Sequence, residues 1–292
     1  MTSAAALKTF TLSNGIKIPS IAAGFGTKWA SRHRPEQKED ELDPGVIQGV
    51  KDAIAAGIYH IDGAEVYGTE GEIGVAISES GVKREDLYIT TKIMKNVTDP
   101  IAALKTSLTK LKTDYVDLYL IHAPFFFDNL EEVWKGLETL HKEGKAKSIG
   151  VSNFKVEHLE RILKVAEIKP VINQIEFHPY LQNQSPGIVE FSQKHGVLIE
   201  AYSPLGPIKE KGPLDPILED LSKKYSKTPA QIIIRWTLQR NVLPVTASAK
   251  PDRLKEANEV FDFTLTEEEV SKITEVGNSH EKRFFWTDGK YF

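Results

Sequence analysis

Four residues in the first half of the chain have the types needed to move a proton. Asp62 and Tyr67 lie close together in the sequence, and Lys92 and His122 follow in later apolar segments. An ammonium beside a phenol favours the phenolate and lowers the pKa of the phenol from about 10. A tyrosine tuned in this way can donate a proton near neutral pH, and a histidine can orient the oxygen that receives it.

Each of these residues taken alone has a structural explanation. An isolated Asp62 or Lys92 at the end of a strand is more often part of a structural ion pair, and an isolated His122 is more often a hydrogen-bonded core residue. Further polar side chains recur near the ends of later apolar segments. They are Ser152, Asn153, Gln174, Tyr202, Ser203 and Ser248.

Short apolar segments alternate with amphipathic ones and predict eight strands separated by helices. Most of these segments are continuous apolar runs, which is typical of strands buried on both faces in a parallel sheet. Asp43-Pro44, Asp99-Pro100, Thr228-Pro229 and a capping box at Thr266 indicate helix starts. The predicted strands are Ile21–Thr27, His60–Ala64, Tyr88–Ile93, Val116–Ala123, Ala146–Ser152, Val171–Phe177, Val197–Ser203 and Val242–Ser248.

This alternation predicts an α/β fold, a (β/α)8 TIM barrel that occupies residues 1–292 as one domain. The alternative is an open doubly wound sheet, but the G-x-G-x-x-G motif of its dinucleotide site is absent, because Thr27, Lys28 and Trp29 follow Gly24-Phe25-Gly26. In a barrel, the polar residues at the strand ends converge on one mouth. Asn14-Gly15 also predicts an N-terminal β-hairpin, which we interpret as decoration in front of the barrel.

Composition excludes several functional classes. The chain has 292 residues and no cysteine, which excludes disulfides, thiolate catalysis and cysteine-ligated metals. The eight histidines are scattered and H-E-x-x-H is missing, so no metal site is expected. A net charge of −4 and short apolar runs give no reason to expect a nucleic-acid or membrane partner. Met1 to Leu12 does not resemble a signal peptide, so we expect a cytoplasmic protein.

Six sequence blocks, in order along the chain, resemble the aldo-keto reductase family. The likeness extends from about Phe10 to Asn278 and is greatest to fungal members that reduce α-keto amides and conjugated polyketones. The blocks are His60–Glu70 (HIDGAEVYGTE), Ile89–Lys92 (ITTK), Leu118–His122 (LYLIH), Ile149–Phe154 (IGVSNF), Asn173–Glu176 (NQIE) and Ala201–Gly206 (AYSPLG).

The resemblance implies reduction of aldehydes and ketones to alcohols, with hydride from NADPH and a proton from Tyr67. Its catalytic residues would be Asp62, Tyr67, Lys92 and His122. Ser152, Asn153 and Gln174 would hold the nicotinamide carboxamide, Tyr202 would stack on the ring, and Ser203 to Gly206 would follow the pyrophosphate. The implied partner is a small carbonyl compound, and the implied oligomeric state is a monomer. The implied cofactor-binding residues are Gly26, Thr27, Ser152, Asn153, Gln174, Tyr202, Ser203, Leu205, Gly206, Ser248, Lys250 and Arg253.

The chain departs from the family pattern where the adenosine phosphate would bind. The usual Lys and Asn of that block are Ala247 and Ala257 here, and Lys250 is a candidate replacement for the lysine. An alternative of nearly equal weight is that Lys250 and Arg253 lie on a solvent-exposed face of a helix and bind no ligand. The preference for NADPH over NADH is therefore expected to depend on Ser248, Lys250 and Arg253.

The C-terminal segment Arg283–Phe292 is aromatic at five of its ten positions. Free tails are usually polar, so this segment is expected to dock on the protein. By the resemblance it forms a C-terminal loop over the barrel mouth; the alternative is that it packs on the outer helices. The loop would complete an apolar substrate wall that favours α-keto and conjugated dicarbonyl compounds. The expected wall residues are Trp29, Val66, Phe125, Phe126, Phe285 and Trp286.

Two other functions fit a barrel with these residues. An aldolase would use Lys92 as a Schiff-base amine, but Ser152, Asn153, Gln174 and Tyr202 would then have no role. A barrel that binds NADPH as a regulatory subunit would not need the four proton-transfer residues. Carbonyl reduction is the one of these three functions that gives a role to both groups of residues.

Overall fold

A closed barrel of eight parallel strands forms the centre of the computed structural model, which describes residues 9–26, 29–30, 41–125 and 127–292. Strands β3 to β10 pair in the order β10-β3-β4-β5-β6-β7-β8-β9, while β1 and β2 form a separate antiparallel hairpin. The predicted TIM barrel is confirmed. The strands are β1 (Thr9–Thr11), β2 (Lys17–Pro19), β3 (Ala22–Gly24), β4 (His60–Asp62), β5 (Tyr88–Ile93), β6 (Val116–Ile121), β7 (Ala146–Ser152), β8 (Ile172–Glu176), β9 (Leu198–Tyr202) and β10 (Val242–Thr246).

Helices follow the barrel strands and cover the outside of the sheet. One additional helix, α7, lies between β9 and α8, and α10 follows α9 at the end of the barrel. The helices are α1 (Pro44–Ala55), α2 (Glu70–Glu79), α3 (Pro100–Leu111), α4 (Leu130–Lys142), α5 (Val156–Val165), α6 (Ile188–Lys194), α7 (Asp215–Tyr225), α8 (Pro229–Gln239), α9 (Pro251–Asn258) and α10 (Glu267–Asn278).

The predicted helix starts coincide with hydrogen-bonded N-caps. Asp43 and Asp99 accept from Gly45 and Ala102, and proline occupies the first turn after each of these caps. Thr228 and Thr266 each form a capping box with the residue three positions later. These caps satisfy backbone donors that the first helical turn leaves without partners, so they fix where each helix leaves the barrel.

The N-terminal hairpin closes the bottom of the barrel, and its interpretation as decoration was wrong. Ile18 is completely buried and Leu12 nearly so, and both pack with Leu118 and Leu243 of the barrel interior. At the hairpin turn, Asn14 Nδ2 donates to Ser148 Oγ at 3.0 Å. The hairpin therefore covers apolar strand starts that would otherwise meet water.

The barrel interior changes from apolar to polar along the strands. Leu118 and Ile172 lie in the apolar layer next to the hairpin. Nearer the other end, Lys92 and Glu200 are buried inside the barrel with no exposed surface. Because ionisable groups are costly to bury, this polar layer marks the end of the barrel where chemistry is expected.

None of the described helices is long and apolar enough to cross a membrane.

We expect Ile18→Ala to lower the free energy of unfolding by about 2–5 kcal/mol, because it removes a buried side chain from a close-packed layer. Ile101→Ala is a matched control, since Ile101 on α3 is 44% exposed and its loss should cost less than about 0.5 kcal/mol. Urea unfolding followed by circular dichroism measures both values. Equal, small losses in the two variants would show that the hairpin does not seal the barrel.

Candidate functional site

A cavity of about 470 Å³ opens at the carboxyl ends of the barrel strands. Strands β3, β4, β7, β8, β9 and β10 each supply lining residues, and the chain end and the loop after β9 supply others. This is the end at which the sequence placed the active site. The lining residues are Gly24, Gly26, Asp62, Val66, Tyr67, Met94, His122, Ser152, Asn153, Gln174, Tyr202, Ser203, Pro204, Leu205, Lys209, Val245, Thr246, Ala247, Phe285 and Trp286.

A buried ion pair lies beneath the cavity floor. Lys92 Nζ is 2.7 Å from Asp62 Oδ1 and also donates to the Gly63 carbonyl at 2.8 Å. Burial is the largest influence on the pKa of Lys92 and lowers it, but Asp62 and the Tyr67 oxygen outweigh burial and raise the pKa above its usual value. Lys92 is therefore a fixed positive charge.

Tyr67 lies above this charge with His122 beside it. The Lys92 ammonium is 5.2 Å from the centre of the Tyr67 ring, and Tyr67 Oη is 3.4 Å from His122 Nε2. Burial, followed by the charge of Lys92, holds the pKa of His122 well below its usual value, so the imidazole is neutral. Gly26 leaves room for the phenol, since a Cβ there would come within 2.6 Å of the Tyr67 ring.

A second buried carboxyl group, Glu200, adjoins the ion pair. Gln174 Nε2 donates to both Asp62 Oδ2 and Glu200 Oε2, each at 2.9 Å. Burial and then the charge of Asp62 raise the pKa of Glu200 to about 8. Because both amide hydrogens of Gln174 donate to these two buried carboxyl groups, its Oε1 is the atom that can accept a hydrogen bond from a group in the cavity.

A hydrogen-bond network fixes the opposite wall. Tyr202 Oη donates to Asn153 Oδ1 at 3.0 Å and accepts from Gln184 Nε2 and from the indole of Trp286. Ser152 Oγ donates to the Gln174 carbonyl at 2.8 Å, and Asn153 Nδ2 donates to the His122 carbonyl at 2.9 Å. The alternative that Ser152 and Asn153 cap the next helix is not observed, because the N-cap of α5 is Lys155.

A larger outer cavity of about 990 Å³ adjoins the inner one. It lies between the loop after β9, α8 and α9, and the expected cofactor residues Ser248 and Arg253 line it. Lys250 lies outside the lining of both cavities; it is exposed and is the N-cap residue of α9. Four of the residues that the structure describes line both cavities and form the passage between them. They are Leu205, Lys209, Thr246 and Ala247.

The C-terminal segment docks on the cavity rim. Both carboxylate oxygens of buried Glu176 accept backbone N–H groups, from Phe284 at 2.7 Å and from Phe285 at 3.1 Å. The Phe285 ring is perpendicular to that of Tyr202, with 5.5 Å between the ring centres. Phe285 and Trp286 both line the inner cavity, so the segment lies over the mouth rather than on the outer helices.

The other expected wall residues occupy different places. Val66 lines the cavity, whereas Trp29 packs on Phe25 and against Gly49 of α1. Phe125 does not line the cavity; it stacks on Tyr291 and contacts Trp286 edge-on. Thr27 and Phe126 lie outside the described residues.

Several residues in the cavity or in the hydrogen-bond network around it were missed in the sequence, and only one of them carried a signal. Glu200 is a lone charge in an apolar strand, two positions before Tyr202, and alternation along a strand places both side chains on one face. Gln184, Met94 and Lys209 lie in loops or irregular segments, where neighbouring residues do not predict which way a side chain points.

Comparisons with known proteins agree with this geometry. The "NADPH-dependent alpha-keto amide reductase" of Saccharomyces cerevisiae is 49% identical over an alignment of 301 positions, which covers 97% of this chain and 96% of the yeast protein. The "NAD/NADP-dependent indole-3-acetaldehyde reductase" of Schizosaccharomyces pombe is 40% identical and covers 93% of this chain and 96% of that protein.

A solved structure has the same fold. The Bombyx mori aldo-keto reductase in complex with NADP superimposes with a TM-score of 0.81 at 36% identity and covers 92% of each chain. The sequence model described as "Aldo/keto reductase family" matches residues 22–278. The resemblance found in the sequence is thus confirmed, and this chain belongs to the aldo/keto reductase family.

Proposed function

We propose that this chain reduces aldehydes and ketones to alcohols with NADPH, and that Tyr67 donates the proton. One observation carries the proposal: a phenol lies within the cavity, beside a neutral His122 and above the buried Lys92–Asp62 pair. The yeast and silkworm relatives are named for NADPH dependence and for bound NADP, which supports the same cofactor here.

The residues present fit a dinucleotide in extended form. In the inner cavity, Gln174 presents its Oε1 as an acceptor for a carboxamide, Asn153 and Ser152 line the same cavity, and the Tyr202 ring offers a surface to a flat heterocycle. The outer cavity offers Arg253 and Ser248 to a phosphorylated ribose. When bound, NADPH supplies the hydride that reduces the carbonyl carbon.

Proton transfer then depends on residues of this chain. His122 and the Tyr67 hydroxyl orient the carbonyl oxygen, and Tyr67 donates its proton as negative charge develops on that oxygen. The phenolate that remains lies next to Lys92, whose charge is kept in place by Asp62. Because the pair is buried, little water screens this interaction.

The same ion pair argues against the aldolase alternative. A Schiff base requires a neutral amine that can reach the substrate, but Lys92 has no exposed surface and its pKa is raised by its neighbours. Its ammonium donates to Asp62 and to the Gly63 carbonyl, which hold it below the cavity floor.

The cavity wall supports α-keto and conjugated dicarbonyl compounds as the substrate class. Val66, Phe285 and Trp286 form an apolar face, which favours flat or bulky groups over sugars whose hydroxyls would lack partners. The name of the yeast relative refers to α-keto amides, which belong to this class. We further propose that the chain acts in the cytoplasm as a monomeric single domain without a nucleic-acid partner, in keeping with its charge of −4.

We expect Tyr67→Phe to reduce kcat by about 10²–10⁴-fold, because the only change is loss of the proposed general acid. NADPH consumption with a panel of ketones measures the rate, and fluorescence titration should show unchanged NADPH binding. Tyr225→Phe, which removes a hydroxyl on the outer helix α7, is the matched control and should keep full activity. Turnover near that of the wild type in Tyr67→Phe would exclude Tyr67 as the donor.

We expect Glu200→Gln to flatten the pH dependence of stability. The folded-state pKa of Glu200, about 8, exceeds the unfolded value of about 4.3, so the folded protein holds an extra proton between these values. The free energy of unfolding of the wild type should therefore fall as pH rises through this window, and less so in the variant. Tyr88, Asp62, Lys92, Gln174 and His60 face the same carboxyl group and remain in both proteins.

Urea unfolding at pH 5.5, 7 and 8.5 compares the two proteins. A difference in stability between the wild type and Glu200→Gln that stays constant across this range would show that Glu200 does not titrate there.

We expect Phe285→Ala to change the ranking of ketones by kcat/KM, because it removes an aromatic face from the cavity. The kcat/KM for bulky conjugated dicarbonyls should fall more than that for small aldehydes, by about tenfold, because one large apolar contact is lost. Phe292→Ala, in the same tail but outside the cavity lining, is the matched control. If both variants lose stability and neither alters the ranking, the tail contributes packing and not specificity.

A further inference from the structure

Lys209 occupies the passage between the two cavities. Of the four residues that line both cavities, it alone carries a charge. It ends the short 3-10 turn Gly206–Lys209, which directly follows the loop after β9. A dinucleotide that fills both cavities must pass its two bridging phosphates through this point, so Lys209 lies where that negative charge would be.

Among the residues that the structure describes, none on the opposite side of the passage is a cation. Ala247 lines both cavities from the end of β10, and its methyl group offers neither charge nor a hydrogen bond to a phosphate. The position where a lysine was expected from the sequence is therefore neutral. The nearby Lys250 does not replace it, because its side chain lines neither cavity.

The ammonium of Lys209 is available to a ligand. Within the described part of the chain, no carboxylate forms an ion pair with Lys209, and the neighbouring Glu210 is paired with Lys282. Lys209 Nζ lies 5.4 Å and 5.9 Å from the ring centres of Phe284 and Phe285. These aromatic faces attract the cation and hold it at the passage without neutralising it.

The other cations among the described cleft residues lie further out. Lys211 and Arg253 line the outer cavity only. The carboxylates of Asp215, Glu219 and Glu256 line the same cavity. Arg253 is placed to meet the adenosine end, where NADPH and NADH differ. Lys209 is placed to meet the bridging phosphates, which NADPH and NADH share.

We propose that Lys209 is the pyrophosphate-binding cation of this enzyme, supplied from the loop after β9 in place of one from β10. This inference rests on the proposed use of NADPH. It assigns cofactor affinity and cofactor preference to different residues: Lys209 strengthens the binding of both dinucleotides, whereas Arg253 distinguishes between them.

The test is the dissociation constant of each dinucleotide, measured by quenching of tryptophan fluorescence. Lys209→Met keeps the length of the side chain and its contact with the phenyl rings but removes the charge. This substitution should weaken the binding of NADPH and of NADH by the same factor, about tenfold, as expected for the loss of one charged hydrogen bond. It should also reduce the salt dependence of binding for both dinucleotides, because one screened charge is gone.

Two matched variants complete the design. Lys211→Met, two residues away on the same segment, should leave NADH affinity within about twofold of the wild type, since a solvated charge off the passage contributes little. Arg253→Met should weaken the binding of NADPH and leave that of NADH unchanged. An unchanged NADH affinity in Lys209→Met, or an equal loss in Lys211→Met, would overturn the assignment. A wild-type protein that binds neither dinucleotide would instead contradict the proposed function.

Discussion

The ion pair between Lys92 and Asp62 is the contact on which the rest of the barrel mouth depends. Burying two charges is costly, and the cost is offset here because each atom that carries charge also has a hydrogen-bond partner. Asp62 is paired in the β4–β5 register with Thr90, two residues before Lys92. The lysine side chain must reach back along the strand, which brings its ammonium under the Tyr67 ring.

The C-terminal segment joins the two halves of the cleft. Phe284 lies directly on Gly206, where a Cβ would come within 2.5 Å of its ring. One residue later, Phe285 contacts Tyr202 and lines the inner cavity. Both backbone N–H groups are held by Glu176 at the end of β8. The turn proposed to follow the cofactor and the wall proposed to contact the substrate are thus fixed by the same buried carboxylate.

Periodicity and motif order in the sequence were sufficient to predict the barrel, its eight strands and the grouping of Asp62, Tyr67, Lys92 and His122. These features follow from local patterns, because a buried parallel strand needs a continuous apolar run and its last polar residue faces the mouth. The role of the hairpin was not predictable in this way. Burial of Ile18 depends on which surface the hairpin meets, and that surface comes from strands more than sixty residues away, such as Leu118 and Leu243.

The same reason explains the residues that the sequence placed incorrectly or not at all. Trp29 was expected on the substrate wall because it follows a strand end, but a ring that follows a strand can turn outward onto a helix, as it does against α1. Lys250 has the charge that the cofactor block had lost, yet it is the N-cap residue of α9 and lines neither cavity. A motif gives the type of a residue, whereas the backbone conformation sets the direction of its side chain.

Backbone conformation at the mouth supports the interpretation that this end of the barrel was shaped for binding. Within the described part of the chain, six residues other than glycine have positive φ. Lys112 and Ser226 end helices, where the left-handed conformation is common. Asn153, Ser203 and Trp286, in contrast, all line the inner cavity, at φ 61°, 53° and 56°.

Each of these three residues costs roughly 1–3 kcal/mol relative to an ordinary conformation, and the cost must be offset by its surroundings. Asn153 is held by both its amide hydrogens and its carbonyl oxygen, and Trp286 by its indole bond to Tyr202. Stability alone would favour glycine at such positions. Residues with hydrogen-bonding side chains at these positions have a physical reason when their side chains present a fixed surface to a ligand. Tyr202, which forms hydrogen bonds with both Asn153 and Trp286, lies at the centre of that surface.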